Sequence, residues 1–386
     1  MKTKYLLLII VVIFSFNASP QSNSGIPASF VDIGFGSRPM GMGGAFTGLA
    51  NDINALIVVI CLSVYAFLFG YFIEIKHNKK LFHRIGIIGL IFVLVIFKYS
   101  GLLTNTFNQL TSFINDFPKI SIYKLFIPLG ISYITFKYIS YLTDIYWNIN
   151  KECSFINFLL YGSLFTIFSA GPIERFERLN PQLENKLQFQ SEYIEKSFER
   201  IVFGLAKKFI IADWIGYFAS PVWKNSGDYS LEIRSLALLG FSIQIYMDFS
   251  GYSDIAIGSS KLFGLSIMEN FNFPYFKSNI SQFWRSWHIS LSDWIRDYIF
   301  FPLSKMGKTK LWFYFFVPVI AMGICGIWHG ASWNFLIWGI YHGVGLSFYQ
   351  IWKKYLRRKP ETNIFFKSLA IVSTFTFVTI GWIWFI

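Results

Sequence analysis

Apolar runs long enough to cross a bilayer follow one another along this chain, and that pattern restricts the fold more than any other feature. About 20 apolar residues in a helix cover the roughly 30 Å of hydrocarbon in a membrane. Candidate segments lie at 55–73, 85–103, 120–142, 155–173, 201–221, 235–249, 252–267, 311–328, 332–352 and 365–386. They rarely alternate polar with apolar residues, as the strands of a membrane β-barrel do. The expected fold class is all-α: a polytopic membrane protein of about nine to ten hydrophobic segments. Segments that are short or carry polar residues are expected to be re-entrant or buried among other helices.

Composition excludes the main alternatives. Charged residues make up 14% of the 386 and hydrophobic residues 54%. A soluble chain carries about 25% charged residues, and a disordered one lacks this much apolar surface. The net charge of +13 fits Lys- and Arg-rich cytoplasmic loops rather than nucleic-acid binding. Loops 76–84, 174–208 and 353–367 hold half of the basic residues and are assigned to the cytoplasmic side. The stretch 174–200 also holds six glutamates and reads as a loop plus an amphipathic surface helix with solvated charges. His77 and His83, in the first basic loop, are expected to be solvated too. Cys61, Cys153 and Cys325 are odd in number and far apart, so no disulfide framework, zinc site or other metal site is expected.

The first 55 residues read differently. Residues 1–20 combine a basic start with a twelve-residue apolar stretch, Tyr5–Phe16, and small residues at Ala18 and Ser19. That is a secretory signal-peptide pattern. Residues 21–55 are Gly-rich, and a phosphate loop is excluded because no strand precedes it and no GK[ST] follows. The leader resembles the mature N-terminus of bacterial outer-membrane β-barrel proteins. Joined to a helical membrane core at 56–386, it is expected to be a fusion.

Chemistry concentrates between 244 and 343. In MDFSGYSD, Asp248 and Asp254 sit six apart between apolar segments. A membrane-embedded carboxylate is costly and should face a polar interior. The two either cap a helix break around Gly251 or touch substrate. In FWRSWHISLSDWIRDY, Trp284, His288 and Ser292 would share one helical face, with Arg285 beside it. His288 and Asp293 also spell H-x4-D, but five residues on a helix turn through about 500°, which leaves the side chains about 140° apart. In GIWHGASWN and the following WGIYHG, His329 and His342 lie among apolar residues. A histidine there is neutral, and a neutral imidazole serves as a general base. Gly326, Gly330, Gly339 and Gly343 either clear space for a narrow channel or permit close helix packing.

These stretches, with IPLGISYITFKYISYLTDIYW, FSAGPIERF and NFNFPYF, resemble the membrane-bound O-acyltransferase family over about 56–386. The nearer branch is its polysaccharide O-acetyltransferases, and the D-alanyl transferase of teichoic acid synthesis is a second relative. The resemblance implies a helical core of that family's kind. It also implies two functional histidines, with His329 deprotonating an acceptor hydroxyl that attacks an acyl thioester, and His288 positioning substrate or lining the channel. Further substrate-binding candidates are Asp248, Asp254, Arg285, Trp328, Asn334 and His342. The implied donor is cytoplasmic acetyl-CoA, with no bound cofactor. The acceptor would be a polysaccharide of the alginate type, reached through a periplasmic or membrane-tethered acetyltransferase partner. The charge pattern places His329 toward the far side of the cytoplasmic (inner) membrane or inside a funnel.

Both ends depart from the family pattern, and the core is expected to be truncated after Ile386. Three other readings stay open at this level: a D-alanyl transferase, a non-functional chimeric fragment, and a transporter using the intramembrane Asp and His residues.

Overall fold

The computed structural model describes residues 53–114, 119–120, 128, 130–149, 153–168, 170–185, 191–306, 311–356 and 363–386. The signal-peptide and Gly-rich leader expectations fall on 1–52 and lie outside the described residues. Among the described residues every regular element is helical.

The first helices form a three-helix unit. Helix α1 (Ile53–Ile75) and helix α2 (Lys79–Thr111) are joined by a tight loop, in which Asn78 Oδ1 accepts the Leu81 N–H and caps α2. Val59, Leu62, Ala66 and Ile73 bury one face of α1, while Ile57, Ile60, Val64, Leu68, Tyr71 and Ile75 turn outward. An apolar face at helical spacing with nothing packed on it is a lipid-facing face. Helix α3 (Ile131–Tyr146) lies against both and is buried over nearly its whole length. Its hydroxyls are satisfied inside: Thr135 and Thr143 donate to carbonyls one turn back, and Tyr138 meets Ser63 of α1 at 2.5 Å. His83 is not solvated as expected. It lies in the second turn of α2, stacks on Tyr146 at 4.4 Å and is 3.2 Å from Thr143 Oγ1.

The expected span at 155–173 breaks early. Helix α4 (Phe155–Ser163) ends at Leu164, whose ψ of 104° leaves helical geometry, and one 3₁₀ turn follows at Phe165–Ile167. Nine residues cover only about 14 Å. The expected amphipathic surface helix forms as helix α6 (Ser191–Leu205), and part of the expected loop is also helical, as helix α5 (Phe176–Glu184). Glu174 just ahead of them is fully buried rather than solvated. It accepts the N–H groups of Met268 and Arg175 and pairs with Arg178 at 3.1 Å.

From α6 the chain continues through a π-helical turn, Ala206–Ala212, into helix α7 (Asp213–Lys224). The π turn adds a residue to the helix and aims two neighbouring lysines at two different carboxylates. Lys207 reaches Asp254 at 2.6 Å and Lys208 reaches Asp248 at 2.7 Å. Both aspartates lie on helix α8 (Leu231–Leu262), a single 32-residue helix where two spans were expected. Gly251 does not break it. A Cβ there would stand 2.7 Å from the Gly204 carbonyl oxygen, so its role is the close approach of α8 to α6.

Two short helices follow, α9 (Ile280–Trp284) and α10 (Ile289–Ile295), so the single helical face expected through Trp284, His288 and Ser292 does not form. A π turn, Arg296–Phe300, leads into helix α11 (Phe301–Met306). Helix α12 (Leu311–His329) and helix α13 (Trp333–Leu356) form a close-packed hairpin. A Cβ on Gly326 would stand 2.1 Å from the Phe335 carbonyl oxygen, and one on Gly339 2.2 Å from that of Met322. These glycines therefore serve backbone-to-backbone packing rather than channel width. Helix α14 (Ile364–Gly381) ends in a 3₁₀ turn, Trp382–Trp384. By length and apolarity Ile57–Ile75, Lys79–Thr111 and Ile364–Trp384 can each cross a membrane, and Phe155–Ile167 and Phe313–His329 are shorter apolar helices.

Candidate active site

The site is assembled from segments distant in sequence. Phe249, Trp287, His288, His329, Trp338 and Phe385 are among the residues that line a narrow cavity. His288 comes from the turn between α9 and α10, His329 from the C-terminus of α12, and Trp338 from α13.

The backbone at His288 is unusual. Its φ of 44° puts a non-glycine residue in the left-handed region, at a cost of about 1–3 kcal/mol that surrounding structure must hold. Two backbone hydrogen bonds bracket it: Asn272 N–H donates to Ser286 O at 3.0 Å, and Ile289 N–H to Asn270 O at 2.9 Å. Asn270 then caps α10. Its Oδ1 accepts the Ser290 N–H at 3.2 Å and the Ser290 hydroxyl at 2.9 Å, while its Nδ2 donates to Ser253 Oγ at 3.2 Å.

This cap sets the state of the histidine. A backbone N–H only donates, so the Asn270 atom facing Ser290 is the oxygen. His288 Nδ1 lies 3.1 Å from the same oxygen and therefore carries the ring proton. Nε2 is left with its lone pair, buried and unpartnered. Phe249 packs edge-on against the ring at 4.6 Å.

His329 is framed by aromatic rings: Trp328 at 4.9 Å, Trp338 at 5.0 Å and Phe385 at 5.3 Å. Trp328 belongs to a stack that ties three elements together. Trp294 of α10 lies on Phe136 of α3 at 4.0 Å, Phe136 faces Trp328 at 5.1 Å, and Trp294 Nε1 donates to Phe136 O at 3.0 Å. His288 and His329 are thus anchored to a common framework. His342 sits behind Trp338 at 5.0 Å and Trp284 at 5.2 Å, wholly buried with neither ring nitrogen hydrogen-bonded.

The fold brings together His288, Trp328, His329 and His342 from the sequence candidates. Four others lie elsewhere. Asp248 is held by Lys208, and Asp254 by Lys207 and by Arg200 at 3.0 Å. Both are ion-paired between α8 and the α6–α7 helix, so neither caps a helix break nor faces the cavity. Arg285 and Asn334 are exposed. Asp293 pairs with Arg296 and forms no H-x4-D unit with His288.

Residues 119–385 match the family model described as the membrane-bound O-acyltransferase family. The chain belongs to the membrane-bound O-acyltransferase family. It is 31% identical over 358 residues to a peptidoglycan O-acetyltransferase of Helicobacter pylori, covering 84% of this chain and 66% of that protein. It is 33% identical over 300 residues to the probable alginate O-acetylase AlgI of Azotobacter vinelandii, covering 78% of this chain and 58% of that one. A teichoic acid D-alanyltransferase of Bacillus subtilis is 34% identical over 267 residues, 66% of this chain and 67% of that protein. The chain thus spans two thirds or less of the first two relatives. As a family member with these apolar helices, it is a membrane protein.

Sequence reasoning did not single out Asn270, although it begins the NFNFPYF stretch. Nor did it find Trp338, Phe385, or Lys98 and Tyr99 of α2. Lys98 is a cation inside an apolar run, which is by itself a signal of an interior partner.

Proposed function

We propose that this protein is a membrane O-acetyltransferase that moves an acetyl group from cytoplasmic acetyl-CoA to a hydroxyl of an extracytoplasmic polysaccharide. The observation that carries the reading is the convergence of His288 and His329 on the wall of one narrow cavity. The O-acetyltransferase relatives supply the acyl group and the polymer class.

In this reaction His329 acts as the base. The acceptor oxygen adds to the thioester carbonyl carbon and the C–S bond breaks. The hydroxyl proton passes to His329 and then to the departing thiolate, leaving an ester and a free thiol. A buried imidazole is suited to this because charging it in the resting state costs several kcal/mol without water. His288 Nε2, an acceptor only, takes a hydrogen bond from a neighbouring hydroxyl of the acceptor sugar and so orients the attacking one toward His329. Trp338 Nε1 is buried without a partner and is available as a donor where negative charge develops on the thioester oxygen. The cavity aromatics exclude water, which limits hydrolysis of the donor.

The reading places the protein in the inner membrane, acting with a periplasmic or membrane-tethered acetyltransferase as partner. The D-alanyltransferase relative makes D-alanyl transfer the second reading. Membrane vesicles carrying the full chain, supplied with labelled acetyl-CoA and polysaccharide, separate the two from inactivity. Label in the polymer that disappears in His329→Ala supports the proposal. Transfer from a D-alanyl thioester alone supports the second reading, and equal labelling with and without His329 removes the mechanism.

A further inference from the structure

A helix that ends in a reactive residue has a structural weakness. The last four carbonyls of an α-helix have no N–H partner within it, and its last turn frays. Helix α12 ends on His329, so the proposed base sits on that last turn. Two of its terminal carbonyls are met from a different helix. Tyr99 Oη donates to Ile327 O at 2.6 Å, and Lys98 Nζ donates to Trp328 O. Consecutive residues of α2 therefore hold consecutive carbonyls immediately ahead of His329.

Lys98 is placed for more than one hydrogen bond. Its Nζ also reaches Ser132 Oγ, in the first turn of α3, at 3.4 Å, and lies 5.5 Å from the centre of the Trp328 ring. A cation at a helix C-terminus is favoured by the helix dipole, and over an indole face by the ring quadrupole. The ammonium thus joins α2, α3 and the end of α12 at one point. Helix α2 lies outside the family-matched stretch of 119–385.

We propose that Lys98 is a positioning residue for His329: with Tyr99 it clamps the C-terminal turn of α12, so that the imidazole is held at a fixed place in the cavity opposite His288. The inference rests on the reading of His329 as the base. Misplacing a reacting group by about 1 Å costs about a hundredfold in rate. Loss of the clamp therefore slows the chemical step without weakening donor binding.

The test uses the full chain in membrane vesicles or detergent, comparing Lys98→Met, Lys98→Arg and Tyr99→Phe. Lys98→Met is expected to lower kcat for acetyl transfer about a hundredfold and leave the acetyl-CoA KM within about twofold. Lys98→Arg keeps the cation and the donor, and is expected to recover most of the rate. Amide exchange across 323–334 should rise in Lys98→Met and not in Lys98→Arg. A Lys98→Met enzyme with wild-type kcat, or one whose exchange at 323–334 is unchanged, overturns the proposal. If Lys98→Met does not fold, Tyr99→Phe decides: a several-fold loss of kcat at constant KM supports the clamp, and no change overturns it. Wild-type protein without acetyl transfer would refute the functional reading instead, and the exchange measurement would still judge the clamp.

Discussion

Asn270 Oδ1 stands 3.1 Å from His288 Nδ1 and 3.2 Å from the Ser290 backbone N–H. One side-chain oxygen thereby caps helix α10 and sets the tautomer of a histidine in the cavity wall. Asn270→Ala removes both functions. We expect a stability loss of about 1–3 kcal/mol, the cost of orphaned buried donors. We also expect a fall in transfer rate of about tenfold or more, because a released His288 can present N–H instead of its lone pair to the acceptor. Thermal unfolding and transfer rates in one detergent preparation check the two effects separately.

Gly326 and Gly339 bring the backbones of α12 and α13 into contact. Gly326→Ala puts a methyl 2.1 Å from the Phe335 carbonyl oxygen, which forces the hairpin apart. Overpacking of this kind costs about 1–3 kcal/mol, and the thermal midpoint should fall by several degrees. Gly101→Ala on α2 is the control, since nothing stands within 4 Å of its added carbon. It should leave the midpoint unchanged or raise it, because Ala suits a helix better than Gly.

Lys208 and Asp248 have side chains only 7% and 12% exposed. Removing one partner leaves a charge stranded in the interior. Lys208→Met alone should destabilise by about 3–5 kcal/mol. Lys208→Met combined with Asp248→Leu should recover much of that loss. A double variant that unfolds as easily as the sum of the singles would contradict the pairing.

Glu174 carries a pH signature. Burial pushes its carboxyl above the ordinary value near 4.5, against the Met268 N–H and Arg178, which hold it down. The folded protein therefore keeps the proton more readily than the unfolded chain. The stability this contributes is full below pH 4.5 and is lost as pH rises through the raised value. Glu174→Gln should flatten the fall in unfolding temperature above pH 4.5, and an unchanged slope would contradict the assignment.

The apolar runs made the helical membrane fold legible, because each must bury or face lipid on every side. Segment boundaries were less legible where the chain departs from simple periodicity. Gly251 looked like a break, yet it remains helical because α6 packs against it. His288 looked like a helical position, yet its turn is held open by hydrogen bonds from the distant 270–272 segment. Asp248 and Asp254 drew attention as intramembrane carboxylates, and only the π turn at Ala206–Ala212, which leaves no sequence mark, shows which lysines neutralise them. The motifs, through the family resemblance, drew attention to His288 and His329, and the fold puts both in the wall of one cavity. The clamp at Lys98 was not, because its partners are backbone carbonyls more than two hundred residues away, and carbonyls carry no sequence identity.

The central claim is that His288 and His329 serve one reaction in one cavity, and the rates of single and double variants test it most directly. His288→Asn keeps a residue that tolerates the left-handed backbone, and His329→Ala removes the base. Groups that act as a unit are non-additive. Labelled acetyl transfer to polysaccharide by the double variant should therefore be no slower than by His329→Ala alone. Losses that multiply, or a His329→Ala protein working at the wild-type rate, would contradict it.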